Sequence, residues 1–274
     1  MPKITTLIGS DKGGVGKSLV AQLIVHAYDR VGMPLSVIEI DHQRKLTSVL
    51  ADRVDLSLDA SPSLSVTHRD RRHAEEFFNP VYEKWCGGDS LTDLGANVTT
   101  PLMEWARIND IQGLVDDDRL HFRFVAMTAP DDQAIRSATK AVQEARRALG
   151  ADAEIFIVLN DSGSGSAGFK PFEGTNDWRN LMALSGSHGA RLIHVPLCDS
   201  QILEYGRALG YTILDILTDD KITDHIQSVA KLDRISLRTH CRRLVQWVQD
   251  VQGALTPLLE PLPEETAEKR FAVG

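Results

Sequence analysis

Eight residues, Asp11-Lys12-Gly13-Gly14-Val15-Gly16-Lys17-Ser18, put three glycines, two lysines and a terminal hydroxyl into one short stretch. They lie between an apolar run, Ile4 to Gly9, and a segment of helical periodicity, Lys17 to Val31. Residues of these types in this order are suited to holding a polyphosphate. A chain that wraps a row of phosphates must turn its backbone N–H groups inward, where side chains would collide with the ligand; glycine removes the collision and permits positive φ. The helix that starts at Lys17 turns the positive end of its dipole toward the same anion. Lys17 can then reach the terminal phosphates, and the Ser18 hydroxyl can ligate Mg²⁺, with Leu19 following in the first helical turn. Counted back from Gly16, the first position of the usual G-x-x-x-x-G-K-[ST] loop is Asp11 and not glycine. The loop is therefore a variant, marked by the additional lysine Lys12.

Three further positions carry matching chemistry. In "SVIEIDHQRKL", Asp41 stands just past an apolar strand, Leu35 to Ile40, and ligands of open α/β sheets sit at the carboxyl ends of strands. In "DSLTDLGANVTTPLMEWA", Asp93 precedes the small-residue turn Gly95-Ala96 and a helix. Asn160 closes the strand of "EIFIVLNDSG", and its amide offers the donor and acceptor pair that a base edge requires.

"KGGVGKS" resembles the deviant Walker A motif of the ParA/MinD family of ATPases, and Glu39-Ile40-Asp41-His42-Gln43 is similar to that family's D-x-D-P-Q element. The resemblance spans Pro2 to Ile216 and is most specific at the glycine-rich loop. It implies ATP and Mg²⁺ as cofactors and a homodimer that sandwiches ATP, with Lys12 reaching across to the second subunit's phosphates as an arginine finger does. It implies that Asp41 aligns the attacking water and helps hold the Mg²⁺ shell, that Asp93 is linked to Mg²⁺ through water, and that the Gly95 N–H meets the γ-phosphate. Asn160 would bond the adenine edge, and the chain after Pro196 would pack beside the base. Lys12, Lys17 and Asp41 are thus the candidate catalytic residues. Slow hydrolysis stimulated by a protein partner, coupled to positioning a cargo of DNA or protein, is the implied activity. Two departures stand out: His42 occupies the family's proline position, and Leu94-Gly95-Ala96 follows Asp93 where prolines are common. A metabolic P-loop ligase or kinase, or a nucleotide-binding regulator with little hydrolysis, is the alternative.

The elements that must position these groups alternate along the chain. Apolar runs at Ile4–Gly9, Leu35–Ile40, Leu91–Leu94, Phe122–Thr128, Ile155–Leu159 and Leu192–Val195 are separated by helical patterns at Lys17–Val31, Thr100–Val115, Asp131–Leu149, Asp177–Leu184 and Ser200–Leu209. This alternation predicts an α/β fold, a mainly parallel sheet flanked by helices. The polar stretch Asp52 to Asp89 reads as surface helix and loop, with Arg69 to Arg72 a weak basic cluster and His68 and His73 solvated. One ATPase domain is expected over residues 1–255, ending in a long helical pattern from Ile222 to about Leu255, with a flexible acidic tail at 256–274.

Composition narrows the setting. The 42% hydrophobic and 25% charged content is that of a globular protein, and the net charge of −8 argues against a protein coated in nucleic acid. Three dispersed cysteines, Cys86, Cys198 and Cys241, fit reduced thiols, so a cytoplasmic protein is expected. Neither an H-E-x-x-H zinc motif nor a second cysteine placed to bridge an iron–sulfur cluster is present. Lys231, Arg234, Arg238 and Arg242 recur at steps of three and four, a basic stripe able to grip DNA phosphates without reading sequence. Prolines at 257, 261 and 263 argue against a membrane-binding helix at the C-terminus, so no membrane insertion is expected.

Overall fold

Among the described residues, seven strands form one sheet in which every neighbouring pair is parallel. In chain order they are β1 (Lys3–Gly9), β2 (Ser36–Ile40), β3 (Val54–Leu58), β4 (Ser90–Leu94), β5 (Leu120–Thr128), β6 (Glu154–Asn160) and β7 (Arg191–Val195). Across the sheet they run β3-β2-β4-β1-β5-β6-β7. The structure, a computed structural model, describes residues 2–60, 76–161 and 167–260. Parallel strands need crossovers, and these are α1 (Lys17–Val31), α2 (Asn79–Gly87), α3 (Thr99–Ile108), α4 (Ile111–Asp118), α5 (Asp132–Leu149) and α6 (Asn176–Ser187). After β7 come α7 (Gln201–Ala208), α8 (Ile213–Thr218), α9 (Asp220–Ala230) and α10 (Arg234–Leu259).

Helices cover both faces, so the core is double. Leu7 of β1 joins a cluster with Trp85, Leu102, Val142 and Leu181, while the next residue, Ile8, joins Val20, Ile202, Ile226 and Val248 on the other face. Strands buried on both sides read as nearly continuous apolar runs, which is why β1, β5 and β6 are legible from sequence. β4 is equally buried but carries Ser90, Thr92 and Asp93, each at 2% exposure or less. Its polar groups are partly absorbed by neighbours: the Ser90 hydroxyl donates to Thr5 at 3.3 Å, and the Trp85 indole N–H donates to Thr92 at 3.0 Å.

Four expectations change. The stretch 52–89 is not merely surface helix and loop, because it contributes the edge strand β3, paired with β2, and the helix α2. Asp55 and Ser57 interrupt the apolar pattern of β3, yet Asp55 accepts a bond from the Val37 N–H at 2.8 Å and so ties the edge down. Phe78, Val81 and Trp85 are buried, with Trp85 set edge-on to Phe122 at 5.4 Å. Arg69, Arg72, His68 and His73 lie outside the described residues. The expected helix Thr100–Val115 is two helices, parted where Asp110 takes a left-handed φ of 49°. The pattern from Ile222 likewise breaks at Lys231 (φ 53°), and Asp233 starts α10 anew by accepting from the Ile235 and Ser236 N–H groups. At its far end α10 runs on to Leu259, past the expected boundary, with Leu258 buried.

Candidate functional site

The glycine-rich loop leaves the carboxyl end of β1, the strand between β4 and β5, and enters α1. It forms one wall of a cavity of about 650 Å³ whose lining runs from Gly13 through Leu19. Gly16 is obligatory on two counts. Its φ is 94°, and a Cβ there would stand 2.2 Å from Asn160 Nδ2. That approach exists because Asn160, at the end of β6, donates through Nδ2 to the Val15 carbonyl at 2.9 Å. Asn160 is thus both a wall of the cavity and a brace under the loop.

Lys17 is the first residue of α1 and is 8% exposed. Its ammonium donates to the carbonyls of Ser10 at 2.9 Å and Lys12 at 3.0 Å. Burial lowers its pKa, opposed by the charges of Asp93 and Asp41. Asp93 is 2% exposed and takes a side-chain hydrogen bond from Ser18. Desolvation pushes its carboxyl up to about 6 against the pull of Ser18 and Lys17. Its Oδ1 is buried without a hydrogen-bond partner among the described residues. Asp41 and Gly95 meet across the ends of β2 and β4. The Gly95 N–H, expected to meet the γ-phosphate, instead donates to the Ile40 carbonyl at 2.8 Å, and a Cβ on Gly95 would lie 2.5 Å from Asp41 Oδ1 and 3.0 Å from its Cα, so a side chain there would displace Asp41.

These residues fit a Mg²⁺–polyphosphate. A buried carboxylate oxygen with no donor, beside a serine hydroxyl and a second carboxylate, is a donor set short of a cation. Mg²⁺ is held by one or two carboxylates together with substrate phosphates and water, not by a full protein cage.

Other expected residues stand elsewhere. Asp11 is turned from the cavity wall and accepts from the Thr100 hydroxyl at 2.7 Å, with Lys140 at 4.0 Å. Lys12 is also outside the wall: its ammonium donates to Gln133 at 2.8 Å and lies 3.9 Å from Asp131. Pro196 does not line the cavity, and its carbonyl accepts from the Trp247 indole at 2.7 Å. Arg234, Arg238 and Arg242 are exposed on α10, whereas Lys231 sits in the break before it and is not part of that helix. Conversely, His42, Gln43, Lys45 and Arg207 line the cavity without having been singled out as ligands. The first three follow Asp41 directly, and that adjacency was the available signal. Arg207 arrives on α7 through tertiary packing, which no local pattern announces.

No family model and no curated protein matches the chain. Solved structures do match. The MinD cell division protein of Aquifex aeolicus aligns at a TM-score of 0.49 and 14% identity, covering 94% of this chain and 98% of that one. The MinC:MinD cell division protein complex of the same organism aligns at 0.46 and 15%, covering 94% and 97%. This chain is a P-loop α/β protein by its own sheet order and by the loop between β1 and α1.

Proposed function

We propose that the chain is a ParA/MinD-like ATPase that binds Mg²⁺–ATP, dimerises around it, hydrolyses it slowly under the stimulus of a protein partner, and uses the cycle to position a cargo. The observation that carries this reading is Asp93, buried behind Ser18 and Lys17, which line the glycine-walled cavity, with one oxygen left unbonded among the described residues. Uncompensated burial of a carboxylate costs several kcal/mol. A fold retains such a defect where a ligand repairs it.

The chain's groups divide the work. Backbone N–H groups of Gly13 to Lys17 bind phosphate oxygens, and Lys17 exchanges the Ser10 and Lys12 carbonyls for them. Ser18, Asp41 and Asp93 are the groups that would hold Mg²⁺, which when bound offsets phosphate charge. Asp41, against Gly95, orients the attacking water, while Asn160 and the segment after Pro196 flank the base. Lys12 belongs to no wall of its own cavity. That placement supports a lysine lent to a second copy, where it stabilises charge developing on the transferred phosphoryl group. A small-molecule kinase or ligase has no use for a lysine so placed. Arg234, Arg238 and Arg242 are proposed to hold DNA phosphates. No described helix is long and apolar enough to cross a membrane, and cytoplasmic placement is part of the proposal.

Light scattering tests the central step. The wild-type chain should shift from monomer to dimer mass on adding Mg²⁺–ATP, and Lys12→Ala should remain monomeric while binding ATP within about threefold of wild type in calorimetry, roughly 0.7 kcal/mol. A Lys12→Ala dimer, or no heat from ATP with the wild type, refutes the proposal.

A further inference from the structure

The end of β2 holds a second buried carboxylate beside Asp93. Glu39 is fully buried, two residues before Asp41, and faces Asp93 in the β2–β4 register. Its Oε1 accepts from the Leu46 N–H at 2.5 Å, and its Oε2 accepts from the Thr47 N–H at 3.0 Å and from the Thr47 hydroxyl. Three donors from one turn therefore converge on a single side chain. The chain between, Asp41 to Lys45, is closed into a loop whose base is this set of bonds. Four residues of that loop, Asp41, His42, Gln43 and Lys45, line the cavity.

The loop's other bonds lie at its exposed rim: His42 Nδ1 with Asp59 at 3.0 Å, the Ser48 N–H to the Arg44 carbonyl at 2.9 Å and the Ser48 hydroxyl to the Lys45 carbonyl at 2.7 Å, so Glu39 is its buried polar anchor. His42, Gln43, Arg44 and Lys45 are exposed, and Leu46 is its buried apolar residue. Arg44 takes a left-handed φ of 48°, and its N–H reaches the Asp41 carbonyl at 3.3 Å, a long bond. A carboxylate taken out of water is tolerated where strong donors replace the water, and charge-assisted bonds of this kind are about twice as strong as neutral ones. The same bonds hold the donors, so the compensation of Glu39 and the placement of the loop are one event.

We propose that Glu39 is a positioning residue for ATP hydrolysis: through Thr47 and Leu46 it clamps the Asp41–Lys45 loop so that the Asp41 carboxylate stands at the phosphate cavity, while Glu39 itself touches no ligand. The catalytic consequence rests on the ATPase reading above; the clamp does not.

Two gentle variants and one stronger variant test it. Thr47→Val keeps the shape of the side chain and removes its donor, Thr47→Ser restores the donor, and Glu39→Gln turns an N–H pair toward the loop's own N–H groups. Four quantities are measured: amide hydrogen exchange across residues 41–50, the ATP dissociation constant, kcat, and the thermal midpoint. In Thr47→Val, exchange across 41–50 should quicken roughly tenfold, the equivalent of one charge-assisted bond. Turnover should fall roughly three- to tenfold with the ATP dissociation constant within about twofold, because the glycine-rich loop holds the phosphates. Thr47→Ser should recover both, and Glu39→Gln should exceed Thr47→Val in the same direction. Unchanged exchange in Thr47→Val and Glu39→Gln overturns the clamp. A dissociation constant that rises in step with the loss of turnover, or a fall in thermal midpoint with no change confined to 41–50, reduces Glu39 to a structural part and overturns it as well. A wild-type chain without turnover refutes the ATPase reading, and the exchange arm then still decides whether Glu39 clamps the loop.

Discussion

The two edges of the sheet bury charge for opposite ends. At the amino edge, Arg123 is 1% exposed and every part of its guanidinium is engaged. Nε donates to Glu154 at 2.6 Å, and the two terminal nitrogens donate to the Leu258 carbonyl at 2.8 Å and the Glu260 carbonyl at 2.6 Å. His121, 2% exposed, adds a bond to the same carboxylate at 3.2 Å. At the carboxyl edge, Asp93 and Lys17 are also buried, but Asp93 Oδ1 has no partner among the described residues and Lys17 lines a cavity. The carboxyl pKa values record the contrast. Desolvation raises both; bonds from His121 and Arg123 overcome it at Glu154 and pull it down to about 2, whereas Asp93 remains raised to about 6. Saturated buried charge fastens α10 to β5, and unsaturated buried charge is where the proposed function puts a ligand.

The largest effect expected from this difference is at the amino edge. Arg123→Ala leaves Glu154 with His121 as its remaining hydrogen-bond partner and takes the guanidinium donors from the Leu258 and Glu260 carbonyls, and should cost about 3 kcal/mol of stability in urea unfolding. A loss under about 1 kcal/mol would show that the amino-edge cluster fastens nothing. The carboxyl edge should answer in the other currency. Lys17→Ala should weaken ATP binding by about 100-fold in calorimetry, close to 2.7 kcal/mol, and cost about 1 kcal/mol of unfolding free energy, less than Arg123→Ala, because the ammonium it removes bonds two loop carbonyls and only partly offsets the charge of Asp93. Equal losses of stability in the two variants would erase the distinction between the edges.

That distinction also marks what could be read from the chain. The glycine-rich loop was legible because its residue types and spacing are those of a strand-to-helix turn built around glycines, and its strand and helix follow from apolar spacing. Asp41 and Asp93 could be placed because strand ends gather at one edge in a parallel sheet. β3 escaped notice because an edge strand needs apolar residues on one face alone, and Asp55 and Ser57 broke the run. The splits at Asp110 and Lys231 escaped because periodicity on either side continues across them, while left-handed residues at the joints carry no strong signature unless they are glycine. Arg207 and the Arg123 cluster escaped for a different reason. Both depend on which helix the fold brings against which strand, which local spacing does not encode.

Opposite pH slopes should accompany the two carboxyls. Glu154, lowered from 4.5 to about 2, contributes stability that is complete above pH 4.5 and lost as pH falls through 2. Asp93, raised from 3.8 to about 6, is the reverse: the folded state holds its proton more tightly than the unfolded one. Its penalty is absent below pH 3.8, grows as pH rises, and is complete above 6. Asp93→Asn should therefore stabilise the ligand-free, Mg²⁺-free chain by about 1–3 kcal/mol at pH 8 and by almost nothing at pH 3.5, read from unfolding curves at the two pH values. Stabilisation of equal size at both would mean that packing, and not the unsatisfied charge, is what the substitution relieves.

The smallest effect on stability belongs to charges that are exposed and, among the described residues, unpaired. Arg234, Arg238 and Arg242 project from α10 into solvent, while the neighbouring Arg243 is bound to Asp199 at 3.0 Å. Reversing the three together, Arg234→Glu, Arg238→Glu and Arg242→Glu, should move the unfolding free energy by less than about 0.5 kcal/mol, since exposed charges are screened and Arg234 begins a helix, where a negative charge is favoured. Retention on DNA-cellulose is the sensitive readout. If the stripe grips phosphates, the triple variant should elute at lower salt, and the slope of log affinity against log salt should shrink by about 3, one for each lost phosphate contact. A slope that stays the same assigns the stripe to solvent, and α10 is then held by Arg123 at one end and by packing along its length for the sake of the fold alone.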